Sequence, residues 1–152
     1  MAKFETLKRA EKERILEKLK EQFGISHLPY LLIKQGIEKV RAFSGSLSRE
    51  ELETLGENVN VDTVGIYLLK EEGEDIRLSH DGASLLQAQI TKNIITLNNE
   101  QASEWLRGNN LEISGNLSGP IILKYKDLVI GCGKAGQGRV TNFVPKERRI
   151  KN

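Results

Sequence analysis

The sequence predicts an α+β protein in two parts. Three observations lead there: a charge-rich helical start, two hairpin-like alternations with a short helix between them, and a C-terminal run of strands punctuated by glycines. Residues 1–90 read as a small α+β module and residues 91–152 as a second, mainly β module. With 152 residues and 38% apolar content, the chain can bury a core as one domain or as two small domains packed together.

Phe4 to Phe23 is expected to be a helix, with Ile15, Leu16, Leu19 and Phe23 on one face and Gly24 as its stop. Its charges four residues apart are mixed, and Glu13 reads as unpartnered. Packing must therefore hold this helix, which serves for docking or for binding a partner. Tyr30–Ile33 and Ile37–Phe43 flank Lys34-Gln35-Gly36 as a hairpin. Ser48-Arg49-Glu50-Glu51 is a capping box opening a short helix with Leu47, Leu52 and Leu55 on its apolar side and Gly56 at its end.

Val61–Lys70 and Ile76–Ser79 form a second hairpin whose tip, Glu71-Glu72-Gly73-Glu74-Asp75, is acidic. A metal site there is a weaker reading than a solvated turn. Asp81-Gly82 opens the segment Ala83–Ile90. In the second half, the strand Asn93–Leu97 leads to a cap at Asn98 or Asn99, then to a helix Glu100–Leu106 with Gly108 as its C-cap. Trp105 shares a helix face with Ala102 and is expected in the core; base stacking is the sharper alternative. A short strand at Leu111–Ile113 and a polar loop, Ser114–Gly119, precede the strand Pro120–Lys126. That strand turns at Lys126-Asp127 into Leu128–Cys132.

The net charge of +2 hides an asymmetry. From Gly119 onward there are eight cations against two anions, while the first 118 residues carry 15 cations against 19 anions. Positive charge gathered at one end suits a nucleic-acid footprint, and a solvated basic tail has the same composition. No apolar run approaches the roughly 20 residues of a membrane span, and the start does not read as a signal segment, so a cytoplasmic protein without membrane contact is expected. The single cysteine, Cys132, excludes an internal disulfide and a multi-thiolate metal site, and it reads as a small buried hydrophobe.

Gly131, Gly133 and Gly136 spell G-x-G-x-x-G, a pattern that cradles a pyrophosphate when it leads into a helix, a second strand and an acidic residue. Here it leads instead into Arg139 to Val144, which alternates like a strand and stops at Pro145. A turn or bulge between two strands explains the glycines better, with direct nucleic-acid contact as the alternative.

From about Lys92 to Arg149 the chain runs strand, helix ending W-L-R-G, strand, G-P-I-I-L-K-Y, L-V-I-G-C-G-K and N-F-V-P-K-E-R-R. This order resembles the PUA-like RNA-binding module at the C-terminus of the Sun/RsmF family of RNA 5-methylcytosine methyltransferases. The family's closing pattern N-x-x-P-K-x-x-R is matched by Asn142, Pro145, Lys146 and Arg149. More loosely, residues 1–90 are similar to the domain that precedes the PUA module in Nip-type ribosome-biogenesis proteins. The resemblance implies a mixed β pseudo-barrel that binds RNA over its glycine loops and basic edge.

The methyltransferase chemistry itself is not expected. The chain is too short for a domain holding S-adenosylmethionine, and Cys132 lies within the RNA-binding module. His27 and His80 stand alone, without partner ligands or a nucleophile context, and each reads as capping or solvating a turn. The expectation is a non-catalytic protein, without cofactor or metal, that binds structured ribosomal or transfer RNA as an accessory factor in RNA modification or ribosome biogenesis.

Lys124, Lys126, Lys134, Arg139, Lys146, Arg148 and Arg149 are the expected phosphate contacts. Backbone at Gly133, Gly136 and Gly138 would approach the RNA closely, with Asn142 beside it. The acidic N-terminal module would dock a separate RNA-modifying enzyme or ribosome-assembly factor, or supply a second RNA contact. The rival reading is a protein-interaction adaptor whose basic end meets an acidic partner.

Overall fold

The computed structural model describes residues 5–45, 48–56 and 65–151, leaving the side chains of residues 49, 55 and 56 aside. In chain order the elements are β1 (Glu5–Thr6), α1 (Arg9–Phe23), β2 (Leu31–Gln35), β3 (Lys39–Phe43), α2 (Arg49–Gly56), β4 (Ile66–Glu72), β5 (Asp75–Leu78) and α3 (His80–Leu86). Then come β6 (Ile94–Leu97), α4 (Asn99–Leu106), β7 (Leu111–Glu112), β8 (Gly119–Tyr125), β9 (Leu128–Gly136) and β10 (Arg139–Thr141). The expected α+β class holds, with two five-stranded sheets ordered β1-β2-β3-β4-β5 and β6-β8-β9-β10-β7. The first is antiparallel throughout; in the second, β6 runs parallel to β8, and the sheet curls into a half-barrel.

The first helix starts later than the sequence suggests. Glu5 and Thr6 are drawn into the sheet opposite Lys34 and Ile33, so α1 begins at Arg9. Glu13 does have a partner, since Arg9 Nε lies 3.0 Å from its carboxylate one turn back. Ile15, Leu19 and Phe23 are fully buried along the predicted face, and Gly24 ends the helix in the left-handed region at φ 83°.

Both hairpins form: the first turns at Gly36–Glu38, two residues later than expected, because Lys34 and Gln35 pair within the sheet, and the second has a shorter tip than the composition suggested. Glu71 and Glu72 are strand residues held by Arg14 and by Lys70 and Arg77, which leaves Gly73 and Glu74 as the turn. Ser48 and Glu51 make the predicted capping box, each backbone N–H donating to the other's side chain, and Leu52 is buried. Leu47, the Leu55 side chain and the start of the Val61–Lys70 strand lie outside the described residues. A second capping box, which the sequence placed only to within a residue, joins Asn98 and Gln101 at the start of α4.

One hydrophobic cluster unites α1, the first sheet and α3, and it also takes in Ile122, Val129 and Cys132 from β8 and β9. The second sheet thus lends one face to the first half's core. Its other face closes over a second cluster built on Leu97, Ala102, Trp105, Ile121, Leu123, Ile130 and Val140.

The G-x-G-x-x-G glycines are not a turn between strands: all three lie inside β9. Gly131 sits at a register shift, with Leu123 opposite Gly131 and Lys124 opposite Val129, so a bulge is present within the strand. The reason is Trp105. A Cβ at Gly131, where φ is 146°, would stand 2.9 Å from the indole nitrogen, and one at Gly133 would stand 2.6 Å from the far end of the ring. The glycines clear a seat for the tryptophan, whose Nε1–H donates to Ile130 O at 3.1 Å. Trp105 is fully buried, so the core reading holds and base stacking by its ring is excluded.

Trp105→Ala should cost about 3–5 kcal/mol of stability, the range for emptying a buried aromatic site. A urea midpoint close to wild type would show that the ring is not an anchor.

Candidate nucleic-acid interface

The structure sorts the predicted site residues into distinct groups. Lys134, Arg139, Gly136 and Gly138 gather at the β9–β10 hairpin, where Lys134 is opposite Thr141 and Arg139 is opposite Gly136. Their strand neighbours Ala135 and Val140 point into the core, so Lys134, Arg139 and Thr141 face outward and are exposed. Gln137 and Gly138 make the turn, both with positive φ, and no atom stands where a Cβ on Gly136 would go. Backbone and cations are open together here.

Lys124 and Lys126 stand at the other end of β9, beside the Lys126–Asp127 turn. The eight rises of about 3.3 Å between the first and last of the nine residues of β9 separate that turn from the Gln137–Gly138 turn by roughly 26 Å. Lys126 lies 5.3 Å from the Tyr125 ring and helps line a groove of about 610 Å³ with Thr96, Asn98, Asn99, Glu100 and Tyr125. The Tyr125 hydroxyl donates to Asn99 Oδ1. Sequence reasoning took Asn99 only as a possible helix cap and gave Tyr125 no role beyond its strand, although a tyrosine beside a cationic turn was a visible signal.

Lys146, Arg148 and Arg149 lie on and just after the 3-10 turn Lys146–Arg148. Lys146 is exposed. Arg148 meets Asp81 of α3, with Nη1 at 2.9 Å from Oδ1 and Nη2 at 3.2 Å from Oδ2, which ties the tail to the first half.

Three predicted residues are engaged within the fold. Gly133 is buried behind Trp105 and paired with Ile121 in the sheet, so its backbone does not meet solvent as expected. Asn142 donates both amide hydrogens, to Trp105 O at 2.7 Å and Asn109 O at 2.9 Å, while Val144 N–H donates to its Oδ1. It therefore caps the end of α4. Arg149 lies across Gly108, where a Cβ would stand 2.4 Å from its Nε, and that Nε donates to Val144 O. Ile150 N–H then donates to Leu106 O at 2.9 Å. The W-L-R-G and N-x-x-P-K-x-x-R segments are two halves of one joint, in which the asparagine and last arginine fasten the tail to the helix end.

Cys132 is buried and its thiol pKa is pushed up to about 12, chiefly by burial. His80 begins α3, and its Nδ1 is buried without a hydrogen-bond partner; burial lowers its pKa. Among the described residues no group of three or more His, Cys, Asp or Glu side chains is arranged to hold a metal ion, and no helix is long and apolar enough to cross a membrane.

Asn142→Ala should destabilise the fold by about 1–3 kcal/mol, because it removes the hydrogen bonds to Trp105 O and Asn109 O and from Val144 N–H that tie the tail to the end of α4. Lys134→Gln should stay within about 0.5 kcal/mol of wild type. Equal melting points for Asn142→Ala and wild type would contradict the capping role. Cys132 should resist thiol reagents at pH 8 until the chain is unfolded. Stability should be unaffected by this thiol below its ordinary value of 9.0 and should fall as pH rises from there toward about 12, because only the unfolded thiol ionises in that window.

Comparison with known proteins locates the same region. Residues 92–150 match the family model described as the methyltransferase RsmF PUA domain. Ribosomal RNA small subunit methyltransferase F of Vibrio atlanticus is 30% identical over 99 residues, covering 64% of this chain and 21% of the relative. The proteins of the same name from Aliivibrio fischeri and Photobacterium profundum are 31% identical over 84 residues and 28% identical over 90. These matches cover 55% and 59% of this chain, and 18% and 19% of those relatives. The matched stretch thus spans about a fifth of the relatives' length. At 64% of the chain, the first match is longer than everything from residue 92 onward and so continues into the first half. The half-barrel that seats Trp105 and carries the exposed cations is the part of this chain that matches the RsmF PUA domain.

Proposed function

We propose that the chain is a non-catalytic RNA-binding protein that holds structured ribosomal or transfer RNA for a separate modifying enzyme or assembly factor. The observation that carries this reading is the coincidence of the PUA match at residues 92–150 with an outward row of cations and open backbone at the β9–β10 hairpin. In this reading Lys134 and Arg139 neutralise phosphates, and the backbone at Gly136 and Gly138 admits the strand closely. Lys124 and Lys126 form a second contact at the far end of β9, and Lys146 adds a third contact from the tail. Arg148 serves the binding surface from its bridge to Asp81.

The absence of chemistry on the base is supported by Cys132. A thiol that ionises only near pH 12 and sits inside the core does not supply the thiolate that attacks a pyrimidine. We retain residues 1–90 and 91–152 as functional halves, with the first, whose balance is negative, docking a protein partner and the second holding RNA in the cytoplasm.

The test is the salt dependence of affinity for a ribosomal RNA fragment. The logarithm of the binding constant should fall linearly with the logarithm of salt with a slope of several units, and Lys134→Gln with Arg139→Gln should reduce that slope by about 1 to 2. A flat response would overturn phosphate neutralisation and favour the adaptor reading.

A further inference from the structure

The first sheet turns one face toward α1 and the core, and its other face carries cations in register. Lys39 of β3 is paired with Lys70 of β4, and Lys70 with Arg77 of β5. Paired residues project from the same face, so three cations stand side by side across three neighbouring strands. Like charges placed directly opposite destabilise a sheet. Part of the cost is offset by Glu38, 3.4 Å from Lys70 Nζ, and by Glu72, 3.1 Å from Arg77 Nε. Arg41, paired with Tyr67, also projects from this face and donates to Gly65 O, while Glu72 and Asp75, paired next to the turn, stand on the same face.

Aromatic rings are interleaved with these cations. Lys39 Nζ lies 5.3 Å from the centre of the half-buried Tyr67 ring. Arg77, only 8% exposed, stacks its guanidinium 3.7 Å from the centre of the Phe143 ring. Phe143 comes from the second half of the chain, next to Asn142, whose amide turns inward toward α4. Lys39, Lys70 and Arg77 thus form one row across the first sheet, with Tyr67 beside it on the same face and Phe143, two residues past the end of β10, against its Arg77 end.

We propose that this row is a further RNA contact, in the first half of the chain, which takes a single-stranded segment leaving the structured part held by the β9–β10 hairpin; it rests on the RNA reading above. Bases stack on Tyr67 and Phe143, and phosphates face Lys39 and Lys70. Lys39 is exposed and swings from the ring to a phosphate as a base takes its place. Arg77 is buried and holds Phe143 in position rather than touching RNA. An acidic protein would answer the charge but would leave the aromatic faces unused, whereas a nucleotide strand uses both. The first half of the chain thereby reads unpaired nucleotides beside the RNA that the half-barrel holds.

The test is fluorescence anisotropy of the full chain with labelled oligouridylate and with a blunt RNA duplex, each variant first checked for folding by circular dichroism. Tyr67→Leu should weaken oligouridylate about tenfold without changing the salt slope and leave the duplex unaffected. Lys39→Gln with Lys70→Gln should lower the oligouridylate slope by about 1 to 2. If both match wild type while Lys134→Gln with Arg139→Gln is weakened, this inference falls and the RNA reading stands. Wild type that binds neither RNA overturns both, and capture of polyglutamate in their place points to an acidic protein. Where Tyr67→Leu does not fold, ultraviolet crosslinking of wild type to oligouridylate decides. Crosslinks on the peptides bearing Tyr67 or Phe143 support the row, and crosslinks confined to other peptides overturn it.

Discussion

The seating of Trp105 on β9 is the contact on which the second half of the molecule depends. A tryptophan lies flat against a strand only where that strand lacks side chains, and Gly131 and Gly133 supply the gap. The bulge at Gly131 aims the Ile130 carbonyl at the indole N–H, so the ring is fixed in position as well as packed. Asn142 and Arg149 then close on the carbonyl end of the same helix from the tail. Helix, central strand and C-terminus are locked by one arrangement, and the β9–β10 hairpin at the end of the half-barrel is left to carry exposed cations. The same arrangement governs the region beside the barrel. Ile122, Val129 and Cys132 complete the core of the first half, so the two sheets do not meet across a polar gap. Arg77 against Phe143 and Arg148 against Asp81 add polar ties at the margin. The exposed Arg148–Asp81 pair contributes little to stability, and its value lies in holding the tail beside α3. A basic surface on a rigid neighbour presents a longer track to a polyanion than either half alone.

Much of this was legible in the residues themselves. The helix face of Ile15, Leu19 and Phe23, the Ser48–Glu51 box, both hairpins and the burial of Trp105 followed from periodicity and capping chemistry. The start of α1 was not, because the pairing of Glu5 and Thr6 with β2 is long-range and leaves no local signal. The glycine pattern misled for a related reason. A seat for a tryptophan 26 or more positions earlier looks the same in sequence as a turn.

The site was legible only in part. Charge counting named Lys134 and Arg139, which stand exposed, while charge placed Arg149 and the closing pattern placed Asn142 beside them, and those two hold contacts inside the fold. A motif shared with RNA-binding proteins need not touch RNA; here its asparagine and final arginine hold the helix end. The cationic row of the first sheet was hidden by the negative balance of its half, since strand register, not composition, brings Lys39, Lys70 and Arg77 together.

If the exposed cations of the β9–β10 hairpin hold RNA in the cell, crosslinking in cells followed by sequencing of the bound RNA will show it. The comparison is between wild type and a chain carrying Lys134→Glu and Arg139→Glu. Wild type should enrich ribosomal or transfer RNA, and the variant should lose that enrichment. Recovery of the same background RNA by both would contradict the role of these cations.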